Sequence, residues 1–201
     1  MMMRSFSSSL FCVLIASGPA ISQDSKDCSD VAAPGQRLAC YDAAENPSGT
    51  STWRIQREAT AVDKHETVHM ALLSKNAIST PFTTMGDAST HAVLALRCMG
   101  GTTAFYVTLA DNLMSDIREF GHVPYRIDEG EPAEYVMTAS SDDRSLGFWD
   151  SASAIAAIKP LLEAQTLRIR ATPFAGRPHE LEFTVAGLDE AIKPLRASCG
   201  W

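Results

Sequence analysis

The sequence predicts an α+β protein, chiefly an antiparallel β-sheet or open sandwich with two carboxyl-terminal helices and a small disulfide-closed amino-terminal cap. Three observations predict it. Beyond residue 53 apolar and polar residues alternate more often than they recur at helical spacing, the pattern of strands with one buried face. Two stretches read as hairpins in register. Of five cysteines, one lies in an amino-terminal apolar run and four remain, an even number that suits disulfides in an exported chain.

The amino terminus combines Arg4, an almost unbroken apolar run from Leu10 to Ala16, and Gly18-Pro19. That is the layout of a secretory signal, and Ala20 and Ser22 stand at the −3 and −1 positions of a cut before Gln23. Residues 1–22 are expected to be removed, leaving about 180 residues, enough for one good core and too few for two large domains. The run is too short to span a membrane comfortably, and no later segment is apolar enough to do so. Cys12 lacks the small preceding residue that a lipoprotein cleavage site needs, so a soluble periplasmic or secreted product is expected. Loss of Arg4 takes the net charge from −7 to −8, and no basic patch invites nucleic acid.

Residues 23–45 carry helix-friendly Ala, Leu, Arg and Glu, broken by Pro34-Gly35, which suggests a cap of two short helical turns closed by a disulfide. Cys28, Cys40, Cys98 and Cys199 allow three pairings, of which the favoured set joins Cys28 to Cys40 and Cys98 to Cys199. On the loop-entropy model the first contributes about 3 kcal/mol and the second, closing roughly 100 residues, somewhat under about 5 kcal/mol. A metal site is disfavoured because no Cys-x-x-Cys spacing occurs. Residues 46–52, rich in Pro, Ser, Gly and Thr, read as a linker, and the β-rich domain follows over 53–201.

Within it, His91 to Leu109 is the best hairpin. Gly100-Gly101 supplies a two-residue primed turn, and pairing outward sets Cys98 opposite Thr103, Leu96 opposite Phe105, Leu94 opposite Val107 and Ala92 opposite Leu109. All of these fall on the core face, where a structural disulfide belongs and a reactive thiol usually does not. In a second hairpin Leu167, Ile169 and Ala171 alternate with Arg168 and Arg170, and Leu181, Phe183 and Val185 with Glu180 and Glu182. With a loop over 172–178, Arg170 faces Glu180 and Arg168 faces Glu182 on a solvated sheet face, each pair worth a few tenths of a kcal/mol. Helices are expected from about Asp150 to Lys159, capped by Ser151 or Ser153, and from about Leu188 to Ala197. The pentapeptide Ala-Ile-Lys-Pro-Leu occurs at 157–161 and 191–195; each proline is expected to end or kink its helix.

Several pieces have a familiar order: Cys28, then Arg37-Leu38-Ala39-Cys40-Tyr41-Asp42, Trp53 and Val62-Asp63 leading a strand. They continue with Leu96-Arg97-Cys98, Thr102 to Val107, Tyr125-Arg126-Ile127-Asp128, Arg170 to Phe174 and the ending Leu195 to Trp201. This ordered set resembles the TagO/VasI family of type VI secretion accessory proteins across essentially the whole chain after the signal. The resemblance implies an accessory role in a contractile envelope machine that injects effectors into neighbouring cells. It implies no catalytic residues and no cofactor, and makes a secretion-machine component or another envelope protein the natural partner.

The chain departs from that pattern at Lys64-His65-Glu66-Thr67-Val68-His69, which holds the zinc-peptidase motif His-Glu-x-x-His. On a helix both imidazoles would bind one Zn²⁺ and Glu66 would activate its water, and Asp63 with Glu66 does form a capping-box pattern. Against this, Val68, Met70 and Leu72 alternate, and the resemblance places a strand here, from about Glu66 to Ser74. In a strand residues four apart are roughly 13 Å apart, too far for a shared zinc. The nearest candidates for a third ligand, His91 and Glu119, sit in no second motif. No Gly-x-Ser-x-Gly, phosphate loop or dinucleotide fingerprint occurs. Trp149, Phe148 and Phe174 are candidates for a ligand groove, though aromatics in a small β-rich domain are more often core. The expectation is a non-catalytic binding or assembly module, with a zinc-dependent hydrolase using His65, Glu66 and His69 as the alternative and a small-ligand or glycan binder as a third class.

Overall fold

The computed structural model describes residues 52–59, 66–80 and 90–201. Among these residues ten strands form two antiparallel sheets. The larger contains β1 (Arg54–Ala59), β2 (Glu66–Ala77), β3 (His91–Met99), β4 (Thr102–Thr108), β7 (Thr138–Ala139) and β8 (Ser145–Phe148), in the order β1-β2-β3-β4-β8-β7. The smaller contains β5 (His122–Ile127), β6 (Ala133–Val136), β9 (Thr166–Ala171) and β10 (His179–Thr184), in the order β10-β9-β5-β6. The described residues also form three α-helices, α1 (Ser151–Ile158), α2 (Leu188–Ala191) and α3 (Lys193–Cys199), and two short 3₁₀ helices. None is long and apolar enough to cross a membrane.

The alternation read from the sequence becomes the two faces of the large sheet. Val68, Met70 and Leu72 of β2, Leu94, Leu96 and Cys98 of β3 and Phe105 and Val107 of β4 point into one core. That core also takes in Leu167, Ile169, Leu181 and Phe183 of the small sheet, Ile158 of α1 and Ile192 and Leu195 near the carboxyl end. Trp53 is fully buried in the same cluster.

The β3–β4 register is the expected one for Cys98 with Thr103, Leu96 with Phe105 and Leu94 with Val107, and it ends at Val93 with Thr108. Ala92 and Leu109 lie beyond that ladder, both fully buried. Gly100 and Gly101 make the turn with φ of 57° and 75°, positive values that a primed turn demands and glycine meets without strain. The β9–β10 register sets Arg170 against Glu180 and Arg168 against Glu182, and both ion pairs form.

The two sheets are tied at both margins. Residues 133–139 run from β6 into β7, passing from the small sheet to the large one, and Met137 N–H donates to the Gly121 carbonyl at 2.9 Å. On the other margin Asn76 of β2 imitates a strand: its side-chain amide donates to the Glu180 carbonyl and accepts from Glu182 N–H. This covers the open edge of β10, whose unpaired backbone groups would otherwise invite another chain.

The helices differ from expectation in one cap and follow it at the second proline. The cap of α1 is Asp150, whose carboxylate accepts from Ser153 N–H at 2.9 Å and is held below the usual carboxylate range by that bond. Ser151, an expected cap, instead accepts from Thr103 N–H at 3.0 Å. The carboxyl-terminal helix is divided, because Pro194 has no N–H to continue the ladder and so starts a new helix one residue before it.

Candidate functional site

The outer face of the large sheet is where its chemistry gathers. Cross-strand pairing aligns Gln56, His69, Arg97 and Ala104 in one row and Arg54, Ala71, Ala95, Tyr106 and Gly147 in the next. Ala95 and Ala104 are only 6% and 1% exposed, so in the middle of this face the small residues are covered by their larger neighbours. Gly147 belongs to it for a steric reason. A Cβ there would stand 2.4 Å from the Cβ of Tyr106 and 2.5 Å from the Phe105 carbonyl oxygen, so only glycine lets β8 lie this close to β4.

Two clefts open on either side of these small residues. One, of about 510 Å³, is lined by Arg54, Gln56, His69, Ala71, Leu73 and Val93 among others. The second, of about 480 Å³, lies between Arg97, Tyr106 and Trp149 on one side and the turn bearing Ser140, Ser141 and Asp142 on the other. They adjoin where His69 faces Arg97 across β2 and β3.

Arg97 is the centre of this arrangement. Its guanidinium carbon sits 5.9 Å from the centroid of Tyr106, and Tyr106 stacks on Trp149 with centroids 5.2 Å apart. Trp149 is fixed in turn by its indole N–H, which donates to the Thr138 carbonyl at 3.0 Å. Among the described residues Arg97 takes part in no ion pair, and its buried Nε has no hydrogen-bond partner there. Its charge acts on its neighbours: burial, then Arg97, lowers the His69 pKa, while burial raises that of Tyr106 and Arg97 opposes the rise. Asp142 is engaged elsewhere, accepting from the Ser140 hydroxyl at 2.6 Å and Arg144 N–H at 3.2 Å, and sits below its ordinary range for that reason. The face therefore offers two cations, Arg97 and Arg54, that make no ion pair among the described residues, and shallow, partly apolar clefts.

The residues singled out in the sequence fall as follows. Cys98 and Cys199 are joined, with Cα atoms 5.7 Å apart and a sequence separation of 101. Cys28, Cys40 and His65 lie outside the described residues. Glu66 and His69 are on strand β2, not on the helix that the peptidase motif requires. Of the other candidate ligands, His91 uses Nδ1 in a 2.7 Å hydrogen bond with the Ser74 carbonyl, and Glu119 lies in a 3₁₀ turn over Arg118–Gly121. Among the described residues no three His, Cys, Asp or Glu side chains come close enough to hold a metal.

The three aromatics separate. Phe148 packs on Phe105 against the core, and Trp149, one residue on, turns to the outer face. Phe174 is 54% exposed beside Phe120, so the expectation of core holds for Phe148 alone. Arg97 was missed as a functional candidate although the hairpin register already put it on the outer face. Trp149 was singled out as a groove candidate, but its place beside Tyr106 and Arg97 was not recoverable, because β4 and β8 are joined only by long-range pairing.

No curated protein matches the chain. Among solved structures, the crystal structure of invasion associated protein b from Bartonella henselae is similar with a TM-score of 0.43 and 16% identity, covering 73% of this chain and 92% of that one. Residues 27–201 match the family model described as Type VI secretion system VasI, EvfG, VC_A0118, and the chain belongs to that family.

Proposed function

We propose that this chain is a non-catalytic accessory protein of type VI secretion that acts in the periplasm, or after export, by binding or assembling another component of the cell envelope. The family match over residues 27–201 carries this reading. It is supported by the Cys98–Cys199 bond, since disulfides persist in oxidising compartments and are rare in the cytosol. The charged, hydrophobic and small-residue order of residues 1–22 supports it as well. In this reading residues 23–45 form a cap closed by Cys28 and Cys40, residues 46–52 link it, and residues 53–201 carry the binding surface.

Deleting the gene and complementing it tests the proposal. Killing of neighbouring cells is expected to fall on deletion and to return with the native chain and with Glu66→Gln alike. Affinity capture of the tagged chain from envelope extract is expected to retain a secretion-machine or other envelope protein. Killing that is indifferent to the deletion, or restored by the native chain and not by Glu66→Gln, would overturn the reading.

A further inference from the structure

We propose that the outer face of the large sheet is a docking surface for an extended acidic segment of a partner protein, with one carboxylate of that segment seated on the Arg97 guanidinium. This rests on the binding role above and names the surface and the chemistry of its partner.

Charge complementarity is the first argument. The chain has 24 acidic residues against 17 basic ones, yet no described carboxylate pairs with Arg97, and Arg54 at the other end of the face also makes no ion pair among the described residues. A guanidinium packed against Tyr106, with its Nε buried and unbonded, has already lost part of its hydration. A carboxylate arriving there finds donors in a fixed fork and forms a charge-assisted bond stronger than one at an open surface.

Shape is the second. The two clefts open in line across the strands, from Arg54 at β1 to Trp149 just beyond β8, and adjoin at His69 and Arg97. Four strand spacings of 4.7–4.9 Å give a span of roughly 19 Å, which about six extended residues cover. The bed is also asymmetric. Leu73, 48% exposed, and Val93 make one end apolar, while Ser140, Ser141 and Ser145 make the other polar. An amphipathic segment fits this better than a polyanion does, because Glu58 and Asp142 stand at its margins and would repel a run of phosphates. The exposed apolar patch of Leu113, Ile117 and Phe174 has no comparable charge to identify its partner, and it serves as the control surface.

The test is site-specific photo-cross-linking in the cell, using the full chain with a benzophenone amino acid in place of Leu73 or, as control, of Phe174. The expected result is a cross-link from position 73 to another protein, at an amphipathic segment that carries Asp or Glu. Its yield should drop by at least about tenfold with Arg97→Gln and be partly restored with Arg97→Lys. If Arg97→Gln lowers the melting temperature, competition replaces it: a synthetic copy of the captured segment should block the cross-link, and its Gln-for-Glu version should not. A captured segment without acidic residues, or a cross-link to this chain itself within one molecule or between two, would overturn the proposal. Capture from position 174 and not 73 would overturn this surface while leaving the binding role standing. No partner from either position and none in affinity capture would remove both.

Discussion

Trp201 donates its indole N–H to the hydroxyl of Thr103 at 2.9 Å, and Thr103 is the cross-strand partner of Cys98, whose sulfur is bonded to Cys199. The last residues thus fasten α3 to one rung of the large sheet twice, once covalently and once by a hydrogen bond to a fully buried hydroxyl. Gly200 makes this reach possible, because its φ of 72° turns the chain back after the helix. Arg196 completes the corner, lying 5.0 Å over the Trp201 ring and donating from Nε to the Trp201 carbonyl.

Opening that covalent tie is expected to be costly. The bond joins cysteines at a sequence separation of 101, for which unfolded-state entropy gives about 2–5 kcal/mol. Urea melts of the Cys98→Ser/Cys199→Ser double variant should show a loss in that range, and thiol labelling of the denatured, unreduced native chain should leave both positions unmodified. Stoichiometric labelling at either cysteine would contradict the bond.

How much of this was legible in the sequence depends on how local the cause was. The Gly100-Gly101 turn fixed the β3–β4 register, and alternation then assigned Cys98, Leu96 and Leu94 to the core without any long-range information. The same logic worked for Arg168 and Arg170. It failed where a distant segment decides: Asn76 sealing β10, Ser151 drawn away from its cap by Thr103, and Trp149 brought over Tyr106 all depend on contacts more than 40 residues apart in sequence. Arg97 was exposed to the same limit, since its face was readable but its lack of a carboxylate partner was not.

The two hairpin registers make opposite demands on stability. Leu96 is fully buried in the core, so Leu96→Ala is expected to cost about 2–5 kcal/mol. Arg168 bonds Glu182 at 2.9 Å and reaches Glu129 at 3.4 Å on a wet surface, so Arg168→Ala should cost under about 1 kcal/mol. Denaturant melts that rank the two the other way would reverse the face assignments.

Gly147→Ala tests the packing of the outer face. The new Cβ would meet backbone and Tyr106 from 2.4 to 2.8 Å, and no flexible side chain is there to yield. A loss of about 1–3 kcal/mol is expected, along with a change in the near-ultraviolet circular dichroism of the Tyr106–Trp149 stack. A variant as stable as the native chain with an unchanged spectrum would show that β8 is not held against β4 as described.

His69 gives the fold a pH dependence of known sign. Burial, reinforced by Arg97 and opposed by Glu58, lowers its pKa from 6.5. The unfolded chain therefore takes up this proton more readily than the folded one. The stability linked to His69 is fully present above about pH 6.5 and is lost as the pH falls from there through the folded pKa. Comparing the native chain with His69→Gln isolates the effect from the other titrating groups. The stability difference between them should shift in favour of the variant on going from about pH 7.5 to about pH 5; a difference that stays constant or moves the other way would contradict the environment assigned to His69.

The His-Glu-x-x-His motif over His65 to His69 gives the last expectation, because it is the feature of this sequence that most resembles an enzyme. Its chemistry depends on a helix that stacks residues i and i+4 on one face. The described part of the motif is strand. Glu66 to His69 belong to β2, Val68 points into the core, and the Glu66 carbonyl accepts the Ser198 hydroxyl at 2.7 Å. Strand rise separates residues four apart by roughly 13 Å, whereas two nitrogens bound to one zinc each lie about 2.0–2.1 Å from it. His69 also faces Arg97 across the sheet, and a fixed cation nearby opposes a second one. The purified chain is therefore expected to hold no stoichiometric zinc after dialysis, and Glu66→Gln is expected to leave its activity in secretion unchanged. Metal analysis decides the matter: one tightly held zinc per chain, lost on His69→Ala, would require this segment to refold as a helix and would establish the hydrolase in place of the binding module.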